Sequence, residues 1–174
     1  MIDNLSPIIA QVLTLSKEES RRFHHPKVTS LALLLAMLRN QEGQVRQMIE
    51  NLGAPVELLR DTLEQRMANF TNKEVTAEEP QLDADTERIL RLSHLEARLQ
   101  KSQETTDIHM LLALLRDRHN EACKLINQYG VEYKDITSKN STPATSQSNT
   151  DNSLEMAGDM PSNNGEAQRS VPQN

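Results

Sequence analysis

The chain has 174 residues, of which 25% are charged, 36% hydrophobic and 2% aromatic, and its formal charge at pH 7 is −6. This size fits one ordinary domain or two small ones, and a core that must be built from Leu, Ile, Met, Val and Ala predicts helices rather than sheets. The negative charge argues against a nucleic-acid partner, and the longest apolar run, residues 31–38, is too short for a membrane span of roughly 20 residues.

The first predicted helix begins at Leu5-Ser6-Pro7, where a hydrophobic residue precedes an N-cap serine and a proline at the first helical position. An apolar stripe with helical spacing follows, formed by Ile9, Val12, Leu13, Ser16, Ser20 and Phe23. A second helix is predicted from about Thr29-Ser30, a good capping pair, to about Arg39. Because this helix is apolar nearly all round, we expect it to be central and buried.

Glycine and proline mark the next boundaries. Gly53 is predicted to end a third helix, because a glycine at C′ adopts the left-handed conformation at little cost. Pro55 then stands at the first position of a fourth helix that extends to about Met67. Gly43, between the second and third helices, is expected to have a positive φ. Residues 68–81 have no sustained periodicity and are interpreted as a linker.

This pattern recurs with an offset of 77 residues, as from Thr29 to Thr106. The stretch LALLLAMLR at 31–39 is matched by IHMLLALLR at 108–116. Further matches in the same register join Leu13 with Leu90, Leu15 with Leu92, Ser16 with Ser93, Arg21 with Arg98, and Gly53 with Gly130. Chance rarely keeps register over so long a stretch, so the chain is predicted to contain an internal repeat.

The second copy predicts the same four helices. Their boundaries fall near Leu82-Asp83, at Thr106-Asp107 and about Arg116, at Gly130, and from Glu132 onward. Asn120 corresponds to Gly43 and is expected to share its positive φ. The chain is therefore predicted to be all-α over residues 1–139, with one repeat at about 5–67 and the other at about 82–139.

The composition changes at about Asn140. From there the chain is rich in Ser, Asn, Thr, Gln, Pro and Gly and has scarcely an aliphatic residue. Such a segment cannot bury enough apolar surface to offset the entropy lost on ordering. We therefore expect residues 140–174 to be a disordered linker or tail.

Three features are specific to a known family: the turn His25-Pro26-x-Val28, the two LLxALLR-like helices, and the paired glycines. They lie within SKEESRRFHHPKVTSLALLLAMLRNQEGQVRQMIENLGAPVELLRDTL and, in the second copy, within RILRLSHLEARLQKSQETTDIHMLLALLRDRHNEACKLINQYGVEYKDI. In this pattern, residues 5 to about 139 resemble the double Clp N-terminal repeat, the domain that opens the Clp-type AAA+ unfoldases, particularly those of the ClpC and ClpA types.

The resemblance implies a compact bundle of eight helices with pseudo-twofold symmetry, tethered flexibly ahead of ATPase modules. It also implies a non-catalytic module that binds adaptor proteins and unfolded or tagged client proteins for a parent ATPase ring that docks a peptidase. The alternative is a free-standing Clp-repeat protein that regulates a Clp protease by competing for adaptors or clients. A polar tail fits the tether, because a chain of that composition behaves as a flexible coil.

The chain departs from the family at the start of the second helix of each repeat. The family usually carries Glu-His before the leucines, whereas this chain has Leu31-Ala32 and Ile108-His109. In relatives that read phosphorylated arginine that glutamate is part of the pocket, so its loss argues against phosphoarginine recognition.

Four residues are therefore candidates for partner binding: Leu31, Ile108, and the helix-start residues Ser6 and Asp83. If Leu31 and Ile108 are exposed, they offer a partner two apolar contacts related by the repeat. The alternative is that both pack into the core as helix-start residues.

No catalytic, cofactor or metal site is predicted. The five glycines have neither GxxxxGK nor GxGxxG spacing, and the five histidines lack both an HExxH spacing and neighbouring cysteines. Cys123, His119 and Glu121 lie close in sequence, but the simpler interpretation makes Cys123 a small packing residue.

The remaining polar residues have structural interpretations. His109 is expected to cap or pack at the head of its helix, and Arg39 and Arg116 are expected to place positive charge at the negative ends of helix dipoles. A cytosolic protein is expected, because no basic segment precedes an apolar stretch at the start and one cysteine cannot form an internal disulfide.

Overall fold

The structure is a computed structural model that describes residues 5–71 and 79–140. The chain divides into two units, residues 1–137 and 138–174. The predicted disordered tail, apart from Asn140, and the middle of the predicted linker lie outside the described residues.

The described residues form eight α-helices and two short strands. In chain order these are α1 Pro7–Arg22, β1 Lys27–Val28, α2 Ser30–Arg39, α3 Val45–Asn51, α4 Val56–Asn69, β2 Gln81–Leu82, α5 Ala84–Leu99, α6 Asp107–Arg116, α7 Glu121–Gln128 and α8 Tyr133–Asn140. The predicted all-α fold with four helices in each repeat is therefore confirmed. One boundary differs, because Pro55 is the N-cap of α4 rather than its first residue.

Helices α2 and α6 are the centre of the core, as their sequences predict. In α2 every residue from Ser30 to Leu38 is buried, and in α6 every residue from Asp107 to Leu115 is buried. The other helices pack one apolar face against them and contribute to the same hydrophobic cluster, with Ile9, Leu59, Ile89 and Ile126 among the fully buried side chains. Burial of each such side chain stabilises the fold by about 1.5–3 kcal/mol.

A short parallel pairing that the sequence did not predict joins the two repeats. Strand β1 pairs with β2, with Lys27 opposite Gln81 and Val28 opposite Leu82. Strands of two residues are too short to produce an alternating pattern of apolar and polar side chains. The pairing brings the end of the predicted linker alongside the His25-Pro26 turn.

The predicted left-handed glycines are confirmed at Gly53 and Gly130, which both have a φ of 85°. The positive φ expected at Gly43 and Asn120 is wrong. Asn120 has a φ of −78° and is the N-cap of α7, where its Oδ1 accepts a hydrogen bond from the Cys123 amide at 2.7 Å. Gly43 is needed for a close approach instead, because a Cβ there would collide with Oδ2 of Asp107.

Two other residues adopt the left-handed conformation. His24 after α1 has a φ of 61°, and Lys101 after α5 has a φ of 57°. Their amides donate to the carbonyls of Arg21 and Arg98, each at 3.0 Å, and the next amide in each case reaches one residue further back along the helix. This is the Schellman motif, formed at equivalent positions of the two repeats.

Candidate functional site

The two repeats are connected at the starts of their first helices. Ser6 does not cap α1 with its side chain; its Oγ donates instead to the Thr105 carbonyl at 2.5 Å. In the other repeat the Asp83 amide donates to the Val28 carbonyl at 3.0 Å. Because Val28 and Thr105 are equivalent positions, each first helix begins against the other repeat.

The first residue of each second helix caps the third helix of the other repeat, again reciprocally. Ser30, the first residue of α2, accepts through its Oγ from the Ala122 amide of α7 at 3.2 Å. Asp107, the first residue of α6, accepts through Oδ2 from the amides of Gln44 at 2.7 Å and Val45 at 3.2 Å. Each repeat therefore satisfies amide groups at a helix start of the other repeat.

A groove of about 530 Å³ lies where these helix starts meet. We call it groove I; its lining residues are His25, Pro26, Lys27, Thr29, Ser30, Leu31, Phe70, Asp83, Asp85 and Glu121. It combines elements of both repeats: the α1–α2 turn, the end of α4, and the starts of α5 and α7.

A second groove, of about 340 Å³, occupies the equivalent place. We call it groove II; its lining residues are Pro7, Ile8, Gln11, Glu42, Gly43, Gln44, Glu104, Thr106 and Asp107. Thr29 and Thr106 are equivalent positions in the two grooves, as are Lys27 and Glu104. The repeat thus produces two similar grooves with different chemistry.

Among the residues that the structure describes, groove I carries three carboxylates and one lysine. Asp83 caps α5 by accepting from the Thr86 amide at 2.8 Å, and Asp85 accepts from Arg88 at 3.0 Å. Glu121 and Lys27 are exposed and have no ion-pair partner within residues 5–71 and 79–140. The groove therefore presents a negative surface, on which Asp83 and Glu121 have no ion-pair partner in the described part of the chain.

The four predicted partner-binding residues have different surroundings. Leu31 is 3% exposed and Ile108 is 2% exposed, so of the two alternatives the second holds, and both side chains pack into the core as helix-start residues. The reason is that α2 and α6 are enclosed on all sides by the other helices. Leu31 and Asp83 line groove I, whereas Ser6 lies at the joint between repeats. A role for these residues in partner binding stays a prediction.

Phe70, Asp85 and Glu121 are groove residues that sequence reasoning missed. Phe70, at the C-terminus of α4, is 62% exposed. The signal available was that one of only two phenylalanines lies outside every apolar stripe. Asp85 and Glu121 each lie in the first turn of a helix. Acidic residues are common there because they interact favourably with the helix dipole, so their presence does not indicate a binding site.

Arg39 and Arg116 lie in the last turns of α2 and α6, as predicted, and both also meet a buried carboxylate. Arg39 Nε is 3.3 Å from Glu19, and Arg116 pairs with Glu96, the residue equivalent to Glu19. Tyr133 also donates its hydroxyl hydrogen to Glu96 at 2.7 Å, and burial together with this bond raises the pKa of Tyr133. These arginines therefore neutralise the buried carboxylates of Glu19 and Glu96.

Cys123, the cysteine weighed above as a possible nucleophile, is buried. Burial raises the pKa of the Cys123 thiol, while His119 and Glu121 are exposed, so the interpretation of Cys123 as a packing residue is confirmed. Across residues 5–71 and 79–140 no group of His, Cys, Asp or Glu has the arrangement to hold a metal ion. Within the same ranges, no helix has the length and apolarity that crossing a bilayer requires.

His109 caps its helix, as predicted. Its Nδ1 accepts from the Thr106 amide at 2.9 Å, which completes a capping box with the Thr106 side chain. Burial lowers the pKa of His109, and the charges of Glu96 and Asp107 oppose that shift.

Comparisons with known proteins agree with this architecture. The model of the Clp repeat (R) N-terminal domain family matches residues 4–105. The chaperone protein ClpB of Oceanobacillus iheyensis is 27% identical over 121 residues, which are 70% of this chain and 15% of that protein. The chain therefore spans about 15% of the length of the curated relative it matches.

Solved structures share the fold at low sequence identity. The Hsp104 N-terminal domain from Candida albicans is 12% identical with a TM-score of 0.66, covering 91% of this chain and 94% of that one. The N-domain of ClpV from Vibrio cholerae is 21% identical with a TM-score of 0.64, covering 79% and 82%. A complex of a ClpV N-domain with a VipB peptide is 21% identical with a TM-score of 0.62, covering 78% and 83%.

Proposed function

Because the chain belongs to the Clp repeat (R) N-terminal domain family, we propose that it is the domain through which a Clp-type ATPase receives adaptor proteins and client proteins. The observation that carries the proposal is groove I, an open groove at the joint of the two repeats with an exposed aromatic side chain and an unneutralised carboxylate. A ClpV N-domain of the same fold has been solved with a peptide from VipB, which supports peptide binding by this architecture.

The proposal extends to the whole protein. We place this domain ahead of ATPase modules in a cytoplasmic unfoldase of the ClpC or ClpA type, whose ring docks a peptidase. The domain then acts by binding alone, and neither nucleic acid nor membrane belongs to its proposed partners. Purified residues 1–174 are accordingly expected not to hydrolyse ATP, because the sequence has no glycine-rich phosphate loop.

The proposal is tested by titrating the chain into a labelled protein that cannot fold, such as reduced, alkylated lysozyme, and following fluorescence anisotropy. Saturable binding is expected. Phe70→Ser should weaken it at least threefold, since the exposed ring lies in groove I. Leu58→Ser is the matched control, because Leu58 is a similarly exposed apolar residue of α4 that does not line groove I.

Two results would contradict the proposal. One is the absence of saturable binding to the unfolded protein. The other is an equal loss of binding in the Phe70→Ser and Leu58→Ser variants, which would indicate diffuse apolar attraction rather than a site.

A further inference from the structure

Resting on the proposed function, we propose that groove I alone is the recognition site, and that its occupant is a segment of a partner protein in which a basic side chain stands next to an apolar one. One segment binds to each chain, although the repeat supplies two grooves. Three properties of groove I carry this inference: its exposed apolar surface, its charge, and its contrast with groove II.

The apolar surface of groove I is formed by Phe70, Pro26 and the edge of Leu31. Phe70 keeps 62% of its surface exposed, and an exposed aromatic ring beside other apolar groups is typical of a contact surface. The ring offers a partner an apolar face, and a basic side chain placed over it gains a cation–π contact as well. This surface selects a segment that has at least one apolar side chain.

The charge of groove I selects the second side chain. Asp83, Asp85 and Glu121 surround the groove, and Lys27 is the one cation among the lining residues that the structure describes. Asp83 and Asp85 already accept hydrogen bonds, but Glu121 has no ion-pair partner in the described part of the chain. An arginine or lysine of the partner would neutralise this carboxylate, whereas an acidic segment would meet repulsion. The formal charge of −6 on the whole chain favours the same partner at longer range.

Groove II is also acidic, through Glu42, Glu104 and Asp107, but it lacks the aromatic and apolar surface of groove I. Gln44 replaces Glu121 and Ile8 replaces Asp85, and none of the described residues that line it is aromatic. Its buried carboxylate, Asp107, is already used to cap α3. Groove II is also the smaller of the two, at about 340 Å³ against about 530 Å³. Both grooves attract a basic side chain, but among the described residues groove I alone places an exposed aromatic ring beside its carboxylates, so a segment that is both basic and apolar fits one site per chain.

The test uses three labelled twelve-residue peptides and the full chain. In the first peptide arginine alternates with leucine and phenylalanine; in the second, glutamate replaces each arginine; in the third, serine replaces each leucine and phenylalanine. The first peptide is expected to bind at least tenfold more tightly than either of the others, with one site per chain by calorimetry. Its affinity should fall as salt is raised, because part of the attraction is between exposed charges.

Matched double variants locate the site. Asp85→Asn with Glu121→Gln should weaken binding of the first peptide at least fivefold. Glu42→Gln with Glu104→Gln removes the same charge from groove II and should change the affinity less than twofold. All four side chains lie at least partly in solvent, so the variants are expected to keep the melting temperature of the parent chain.

The outcomes separate the inference from the proposed function. Equal losses in the two double variants, equal binding of the acidic peptide, or two sites per chain would overturn the inference. If unfolded lysozyme binds and the first peptide fails to compete with it, the inference fails while the proposed function stands. If neither the unfolded protein nor the peptide binds, both fail.

Discussion

Glu19 and Glu96 occupy equivalent positions on α1 and α5, and both are buried beside an arginine from the end of the following central helix. Their surroundings differ in the partners beside that arginine. Glu19 also pairs with Arg22 at 2.6 Å, whereas the residue equivalent to Arg22 is Leu99. A buried carboxylate without a cation is costly, so the two sites should respond differently to the loss of their shared arginine.

Arg116→Met is therefore expected to lower the free energy of unfolding by about 2–3 kcal/mol, because it leaves the Glu96 carboxylate with only the neutral Tyr133 hydroxyl. Arg39→Met should cost about 1 kcal/mol or less, since Glu19 keeps Arg22 and the lost pair is partly exposed. Urea denaturation of both variants measures the difference. Equal losses would mean that the second arginine does not compensate.

His109 should make the stability of the fold depend on pH. Its Nδ1 must be unprotonated to accept from the Thr106 amide, and burial lowers its pKa in the folded state. Between the folded pKa and the ordinary value of about 6.5, the unfolded chain binds more protons than the folded chain. The contribution of the neutral ring is thus complete above that ordinary value and is lost as the pH falls through the folded pKa.

The variant His109→Gln checks this expectation, because glutamine at the same position can form the capping box without titrating. From pH 7.5 to pH 5.5 the urea midpoint of the parent chain should fall further than that of the variant. Parallel behaviour of the two proteins would show that other groups cause the pH dependence.

Side chains with a local task could be predicted from the sequence. Gly53, Gly130 and His109 act on their own helices, so the residues near them in the chain contain the whole signal. The buried Glu19 and Glu96 could not be predicted in this way, because a glutamate in an amphipathic helix indicates solvent unless its distant partner is known. Phe70, Asp85 and Glu121 could not be predicted as residues of groove I for the same reason, since the groove joins segments that are distant in the sequence.

At the scale of elements, the ends of α1 and α5 carry a conformational cost. Both Schellman motifs place a residue with a Cβ, His24 or Lys101, in the left-handed region that glycine occupies most easily. The third helices of the two repeats use glycine at the corresponding place. The sequence therefore marks the end of the third helices clearly and leaves the end of the first helices unmarked.

His24→Gly and Lys101→Gly are each expected to raise the free energy of unfolding by about 0.5–1 kcal/mol, because relief of the left-handed strain exceeds the entropy that glycine adds to the unfolded chain. Thermal melting followed by circular dichroism measures the gain, and Lys17→Gly, within α1 and outside the left-handed region, serves as the destabilising control. A loss of stability in both glycine variants would contradict the expectation.

Helix starts were predicted well because the caps are adjacent to the helices they begin, as with Thr29 and α2. The parallel pairing of β1 with β2 was not, since two residues in each strand leave no periodic signal. At Gly43 the sequence predicts a positive φ in a turn. The structure instead requires glycine because Asp107 of the other repeat lies where a Cβ would be.

Across the whole molecule, the two repeats depend on each other. The reciprocal contacts of Ser30 and Asp107, the joint at Ser6 and Asp83, and the shared hydrophobic cluster all cross between repeats. A half of the molecule would expose apolar surface of its central helix and leave amide groups at a helix start without partners.

Residues 1–71 alone are therefore expected to remain largely unfolded, whereas residues 1–140 should unfold in a single cooperative transition. Far-ultraviolet circular dichroism of the fragment, with residues 1–140 as the control, measures this. A helical fragment with a sigmoidal melting curve would show that one repeat is sufficient.

The exchange of caps between Ser30 and Asp107 also has a consequence for how such a chain evolves. After an ancestral duplication, the two positions serve different helices and are free to diverge, as serine and aspartate have done. A single copy would keep its own acceptor but would lose the one that the other repeat presents to it. Divergence within the pair is therefore easy, whereas a return to a single copy would require a second chain to supply the missing acceptor.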